Sequence, residues 1–195
     1  MAGKYMTADA IFLSASIPDR QLETYIPDPL AIREAVLALV SVIIQERELV
    51  FGGHPAISPL VEHAARSLNA VDNVHIFQSR FFEQNIPPVA KAFKNLHWTP
   101  MIPNQREESL QLMREEMIHF KTFRAGVFIG GMDGVEKECE VFKSLYSRDQ
   151  IFPVASTRGA AWLLWDKGEG CQVPTTRNQL VNNKRYRALF RRLFR

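Results

Sequence analysis

Short apolar runs alternate with amphipathic helical patterns along most of the chain. Runs of three to five residues, bounded by polar or glycine-rich turns, predict buried strands. Six such runs occur, at 10–14, 48–51, 74–77, 96–98, 125–129 and 151–155. Between most of them, apolar residues recur at intervals of three and four, which predicts helices. The alternation predicts an α/β protein, built as a three-layer sandwich whose mainly parallel sheet is covered by helices on both faces.

Local signals predict where some elements begin. Asp28 before Pro29 is typical of an N-cap followed by proline in the first helical turn. Pro55 is predicted to occupy the first turn of the next helix. The polar segment 16–28 is predicted to be a turn, with Pro18 and Pro27 in it, and the proline-interrupted segment 81–93 remains without an assignment.

Two glycine pairs, Gly52-Gly53 and Gly130-Gly131, each end a predicted strand and precede a helical pattern. Glycine lets the backbone approach an anion, and a helix start offers unpaired N–H groups and a positive dipole end. The carboxyl ends of parallel strands meet at one sheet edge, so these turns are expected to converge there, although either pair alone also fits an ordinary turn. The pattern predicts a ligand made of phosphate and ribose. The candidate ligand-binding residues are Ser14, Ser16, Gly52, Gly53, His54, Arg80, Gly130, Gly131, Met132, Gly134, Ser156 and Thr157.

One carboxylate falls on the core-facing side of the helix predicted from about 133 to 146. Burial of Glu138 is costly unless the residue is paired or belongs to a ligand site, and the alternative is a pair with a surface arginine. Arg106, at the start of the preceding helix, is the candidate for binding a phosphate, with a solvent-exposed position as its alternative. Arg114 competes for that role. Glu138 and Arg106 are the candidate catalytic residues if the protein is an enzyme.

Composition predicts one globular domain over residues 1–195, because 46% of the residues are hydrophobic and 23% are charged. The net charge of +3 is modest, and the excess lies in a basic amphipathic helix predicted at about 178–195. Such a helix can contact nucleic acid, an anionic membrane or another subunit. The favoured interpretation is a last helix packed on the sheet with its arginines in solvent, so neither nucleic acid nor a membrane is predicted as a partner.

The sequence shows no secretion-signal pattern and no apolar stretch near the roughly 20 residues that span a bilayer. We therefore expect a soluble, cytoplasmic protein. Cys139 and Cys171 lack a CxxC or metal-ligand spacing, so neither a disulfide framework nor a metal site is predicted. No cofactor is expected beyond the nucleotide-derived ligand itself.

Four segments, 11–19, 51–55, 77–82 and 128–136, together resemble the SLOG superfamily. More narrowly, they resemble the bacterial SLOG proteins found near TIR and sirtuin-type conflict systems. The resemblance covers residues 10 to about 165. It implies a Rossmann-like fold and a nucleotide or NAD-derived ligand.

One branch of that superfamily, the Lonely Guy phosphoribohydrolases, hydrolyses nucleoside monophosphates to base and ribose phosphate. Its motif is proline, two glycines, any residue, glycine, threonine, two residues and glutamate. Four residues of this chain match it, namely Gly130, Gly131, Gly134 and Glu138. Ile129 stands in place of the proline, Val135 in place of the threonine, and one extra residue precedes Gly134.

The resemblance implies a sensor domain that binds an NAD- or ADP-ribose-like nucleotide in a bacterial conflict or defence system. A homodimer and an effector protein partner follow from the same resemblance. The alternative is a hydrolase of the N-glycosidic bond, in which Glu138 steadies positive charge on the ribose while Arg106 or Arg114 positions the phosphate.

Overall fold

Six parallel strands form one sheet at the centre of the computed structural model, which describes residues 10–17, 25–26 and 28–195. The strands are β1 (Ala10–Ser16), β2 (Glu48–Gly52), β3 (Val74–Ser79), β4 (Asn95–Thr99), β5 (Phe123–Gly130) and β6 (Ile151–Val154). Their order in the sheet is β4-β3-β2-β1-β5-β6. The direction of winding reverses between β1 and β5, which is where ligands bind in sheets of this kind. The predicted Rossmann-like class and all six predicted strands are confirmed.

Seven α-helices cover the two faces of the sheet in the described part of the chain. They are α1 (Pro29–Ile43), α2 (Ser58–Ser67), α3 (Arg106–His119), α4 (Asp133–Leu145), α5 (Gly159–Asp166), α6 (Pro174–Asn182) and α7 (Tyr186–Phe194). Buried residues of α1, α2 and α7 pack together on one face, and those of α3, α4 and α5 on the other. The structure therefore has the three layers that the alternating pattern predicts.

The start of α1 confirms the predicted cap, because the Asp28 carboxylate accepts from the Ala31 N–H at 3.0 Å. The predicted start of the second helix at Pro55 is wrong. His54 Nδ1 accepts from the Ala56 N–H, and the His54 N–H donates to Ser58 Oγ. These bonds close a turn, so α2 begins at Ser58. Most of the turn predicted over 16–28, with Pro18 and Pro27, lies outside the described residues.

The helix predicted over about 178–195 is in fact two helices, which corrects the sequence interpretation. Asn183 between α6 and α7 has extended backbone angles, and its side-chain carbonyl accepts from the Arg185 N–H at 2.8 Å. This local bond competes with helix continuation. The segment 81–93 forms two short 3₁₀ helices, Arg80–Asn85 and Pro88–Ala92.

Charge is distributed unevenly over the two faces. The apolar side of α7, including Phe190, packs against α1, while its arginines point to solvent. The exposed carboxylates of α3 and α4 lie on the opposite face of the sheet; they include Glu108, Glu115, Glu116 and Glu140. Within the described ranges, no helix is long and apolar enough to cross a membrane.

A pair of histidines joins β3 to the edge strand β4. His75 Nε2 lies 3.2 Å from Glu48 Oε1, and Lys121 also binds this carboxylate. Since His75 donates from Nε2, its Nδ1 accepts from Nε2 of His97 at 3.0 Å. Burial lowers the pKa of both imidazoles, and the neighbouring Lys121 adds to the effect.

We expect the free energy of unfolding to decrease as the pH falls from about 7 to 5. Unfolded histidines take up protons near pH 6.5, whereas the two folded rings, with their lowered pKa, do so only at more acidic pH. The unfolded state therefore binds more protons in this interval. Urea unfolding at several pH values measures the slope, which is expected to be smaller in the double variant His75→Gln/His97→Gln than in the control His63→Gln. Equal slopes in the two variants would contradict the prediction.

Candidate functional site

A cleft opens at the carboxyl edge of the sheet, between the ends of β1 and β2 and the first turns of α3 and α4. Its volume is about 260 Å³, just below the roughly 300–1,000 Å³ usual for small-molecule sites. Many of the residues predicted from the sequence line it; they are Ser16, Gly52, Gly53, His54, Arg106, Arg114, Met132, Gly134 and Glu138. The structure therefore brings together residues from four separate segments of the chain.

Six of the twelve predicted ligand-binding residues do not line the cleft; they are Ser14, Gly130, Gly131, Arg80, Ser156 and Thr157. The last three make other contacts. Arg80 pairs with Glu83 at 2.7 Å, and its guanidinium covers the ring of Trp98. Ser156 and Thr157 follow β6 and are buried. The Ser156 hydroxyl donates to a backbone carbonyl at the start of the α6–α7 junction. The structure assigns these three side chains to contacts within the protein and not to the cleft.

The backbone N–H groups of the glycine turns are also used within the protein. The N–H of Gly53 donates to the Phe77 carbonyl at 2.8 Å, and that of Gly131 donates to the Ser16 carbonyl at 2.9 Å. The Gly130 N–H donates to Thr157 Oγ1 at 2.8 Å. These three glycine N–H groups are therefore not free to bind a phosphate.

The glycines of the β5–α4 turn are required for another reason. Gly130 and Gly131 have φ angles of 57° and 85°, a region that favours glycine. A Cβ at Gly131 would lie 2.2 Å from Val135 Cγ2, and one at Gly130 would lie 2.3 Å from Ile32 Cδ1. The glycine pair thus allows the chain to turn tightly between β5 and α4.

The chemically distinctive pair of the cleft is Arg114 on α3 and Glu138 on α4. Arg114 is only 5% exposed, and its Nε has no hydrogen-bond partner among the residues that the structure describes. A Cβ at Gly134 would lie 3.8 Å from Arg114 Nη2, so the guanidinium reaches the start of α4. This arginine, not Arg106, is the buried cation of the site.

The carboxyl group of Glu138 is held between β1 and β2. Ser14 Oγ donates to Glu138 Oε2 at 2.5 Å, so Ser14 supports the site from behind although it does not line the cleft. A Cβ at Gly52 would lie 3.7 Å from Glu138 Oε1. Burial raises the pKa of Glu138, while the Ser14 hydrogen bond and the charge of Arg114 oppose this rise. The alternative pairing of Glu138 with a surface arginine is not what the structure shows.

The mouth of the cleft carries charges that are already paired. Arg106 has an exposed side chain that binds Glu107 and lies over the ring of Phe82. Lys137 Nζ lies 2.9 Å from Glu107 Oε2 and 3.2 Å from Asp133 Oδ2. The hydrogen bond from Lys137 holds the pKa of Glu107 below its usual value. Two basic and two acidic groups therefore balance each other at the rim.

His54 contributes a neutral donor to the wall. Its Nδ1 accepts from the Ala56 N–H at 3.2 Å, and burial lowers the pKa of the ring. The neutral ring therefore carries its proton on Nε2. This tautomer suits a hydrogen bond to a hydroxyl or phosphate oxygen of a ligand.

Sequence reasoning missed the two rim carboxylates, Glu107 and Asp133. Each lies in the first turn of a helix whose first residues line the site. Two features of the sequence could have indicated them: Glu107 is next to Arg106, and Asp133 lies between Gly131 and Gly134. Among the described residues, no group of three or more histidine, cysteine or acidic side chains is placed to hold a metal ion.

Comparisons with known proteins agree with this architecture. A family model described as LD_cluster3, the SLOG cluster3 family, matches residues 24–194. The X-ray structure of TM1055, from the Northeast Structural Genomics Consortium, is similar with a TM-score of 0.56 at 11% sequence identity, covering 86% of this chain and 88% of that one. At this identity the likeness shows the fold alone. None of the curated proteins matches the chain significantly.

Proposed function

We propose, from the premise that this chain belongs to the SLOG cluster3 family, that it binds a nucleotide-derived ligand in the cleft and acts as a sensor domain. Membership confirms the resemblance to the SLOG superfamily that the sequence suggested. The ligand, its use as a signal and the biological setting are the parts that we propose.

The observation that carries the proposal is the buried guanidinium of Arg114. A charged group removed from water with an unpartnered Nε is costly unless an acceptor reaches it. Phosphate oxygens are strong acceptors that arginine binds with well-defined geometry. A phosphate-containing ligand in the cleft supplies the partner that Arg114 lacks.

The rest of the cleft suits a ribose beside that phosphate. Glu138, Ser16 and the Nε2–H of His54 offer hydrogen-bonding groups, and Leu110 and Met113 of α3 form an apolar wall. The volume of about 260 Å³ accommodates about one nucleotide unit. A larger ligand such as ADP-ribose would extend beyond the mouth.

Sensing is favoured over catalysis because binding needs only the cleft and Arg114. The setting that we propose, a bacterial conflict or defence system with an effector protein as partner, rests on the resemblance of the sequence. A homodimer and a cytoplasmic location belong to the same proposal.

Hydrolysis of an N-glycosidic bond is the second candidate, and Glu138 is the observation that favours it. A carboxylate can stabilise positive charge that develops on the ribose, while Arg114 holds the phosphate. Burial, which raises the pKa of Glu138, disfavours the charged form that such stabilisation requires, whereas the Ser14 hydrogen bond and the charge of Arg114 favour it.

Incubation of the purified protein with AMP, NAD and ADP-ribose tests both candidates. We expect at least one of them to raise the unfolding midpoint by about 5–10 °C at a concentration 100 times its Kd, without release of free base. Differential scanning fluorimetry measures the stabilisation, and chromatography of the nucleotide detects the base. Failure of all three to stabilise the protein would overturn the proposed ligand class.

Glu138→Gln with the matched control Glu140→Gln separates the two functions. Both residues belong to α4, but Glu140 is exposed to solvent. For a sensor, neither variant changes the amount of free base, which stays at the background level. Base release that Glu140→Gln retains and Glu138→Gln loses would instead establish the hydrolase.

A further inference from the structure

We infer that copies of this protein bind one another through two different surfaces, the arginines of α7 on one copy and the carboxylates of α3 and α4 on the next. This inference goes beyond the proposed function and does not depend on the ligand. It names a second copy of this chain as the partner of α7. The support comes from unpaired charges on both surfaces, from the extent of each surface and from the burial of the apolar side of α7.

The basic surface of the contact consists of exposed arginines on and beside α7. None of them forms a salt bridge with a described residue, whereas Lys184 before the helix and Arg195 after it pair with Asp28 and Glu46. Several of these arginines line a shallow groove of about 430 Å³ between α1 and α7, which also contains the carboxylate of Glu34. The arginines of the basic surface are Arg185, Arg187, Arg191 and Arg192. The described residues therefore leave an excess of positive charge here.

The acidic surface consists of exposed carboxylates on the opposite face of the sheet. Three lysines of that face are already paired, since Lys137, Lys143 and Lys167 each bind a carboxylate. The carboxylates of the acidic surface form no salt bridge with a described residue; they belong to Glu108, Glu115, Glu116 and Glu140. Each side of the molecule thus carries charges that the opposite side of a second copy can pair.

The two surfaces match in extent. Arg185 and Arg192 lie seven residues apart, which corresponds to about 10 Å along α7. Glu108 and Glu116 are separated by about 12 Å along α3. Since α7 and α3 cover opposite faces of the sheet, one copy can contact a neighbour through each surface at the same time. The contact therefore allows a chain of copies and is not limited to a pair.

The burial of the apolar side of α7 argues against the other partners that a basic amphipathic helix can have. Leu189, Phe190 and Phe194 are buried in the core, so they are not available to insert into a membrane surface. Tyr186 is buried as well, so α7 presents no exposed aromatic ring on which a nucleic-acid base could stack. What α7 presents is a set of guanidinium groups, for which the carboxylates of a protein surface are suitable partners.

A charge-reversal experiment tests the inference. Sedimentation equilibrium in a buffer of low ionic strength measures the weight-average mass, and that of the wild type is expected to rise above the monomer mass of 22.3 kDa, with a Kd on the order of 100 µM. Arg187→Glu/Arg191→Glu and Glu115→Arg/Glu116→Arg are each expected to remain monomeric. An equimolar mixture of the two is expected to associate again, because the first variant retains the acidic surface and the second retains the basic one.

Lys91→Glu/Lys94→Glu is the matched control for Arg187→Glu/Arg191→Glu. It changes the net charge by the same amount in the exposed segment before β4, and it is expected to associate like the wild type. Thermal unfolding shows whether each variant is folded. A wild type that stays monomeric at all concentrations, or a mixture that stays monomeric although both variants are folded, would overturn the inference. Binding of an RNA or DNA oligonucleotide that only Arg187→Glu/Arg191→Glu loses, without self-association of the wild type, would overturn it in favour of nucleic acid.

Discussion

Replacing Arg114 by glutamine is expected to weaken ligand binding by about 100-fold, the largest effect of any single change in the cleft. The variant keeps a hydrogen-bond donor but removes the charge, so the ligand phosphate and the carboxyl group of Glu138 both lose their cationic neighbour. Because Arg114 is buried, water does not replace the lost interaction as it would at the surface. Isothermal titration calorimetry with the ligand that stabilises the wild type measures the loss.

Arg106→Gln is the matched control, since Arg106 lies on the same helix and lines the same cleft. Its side chain is 58% exposed and already pairs with Glu107, so the expected loss is no more than about three-fold. Unfolding midpoints of both variants show whether binding was measured on folded protein. Equal losses in the two variants would mean that the phosphate lies at the mouth and not at the buried guanidinium.

Replacing Gly159 by alanine is expected to lower the free energy of unfolding by about 3 kcal/mol or more. Gly159 begins α5 with a φ of 61°, and a Cβ there would lie 2.7 Å from the Gly131 carbonyl oxygen and 3.0 Å from the Gly130 carbonyl carbon. Both contacts are with backbone atoms, which cannot rotate aside like a flexible side chain. Relief of the clash therefore requires displacement of the β5–α4 turn. Urea unfolding measures the change.

Gly168→Ala separates the cost of the clash from the cost of the backbone angle. Gly168 has a similar φ of 79°, but a Cβ there meets nothing within 4 Å. We expect a loss of about 1–2 kcal/mol from the left-handed conformation alone. The difference between the variants measures how tightly Gly159 packs under the turn. If Gly168→Ala is as destabilising as Gly159→Ala, the close packing is not the cause.

The sheet was predictable because its strands are continuous apolar runs. A run such as 125–129 has few stable positions other than the interior of a parallel sheet. The predicted helix boundaries were wrong where hydrogen bonds of a few polar side chains determine the backbone conformation. Hydrogen bonds of Ser58 and His54 move the start of α2 to Ser58, and a hydrogen bond of Asn183 separates α6 from α7. Such local hydrogen bonds leave no periodic signal in the sequence.

The structure gathers many of the candidate site residues in one cleft at the sheet edge, while the N–H groups of Gly53, Gly130 and Gly131 form hydrogen bonds within the protein. The sequence marks Gly130 and Gly131 as special without telling whether their freedom serves an anion or a tight turn, and the structure shows the turn. Arg80 follows β3 at the same edge, yet Glu83 and Trp98 hold it away from the cleft. The pair with Glu83 is local, at a spacing of three residues, but the contact with Trp98 joins two separate segments and has no signal in the spacing along the chain.

The separation of the arginines of α7 from the carboxylates of α3 and α4 makes the molecule an electric dipole oriented across its sheet. Two copies that approach with like faces repel each other, and two that approach with unlike faces attract. Symmetric pairing through either charged face is therefore disfavoured, whereas head-to-tail stacking brings unlike faces together and is not. The preference is strongest in dilute buffer and weakens above about 0.1 M salt, where the screening length falls to roughly 10 Å.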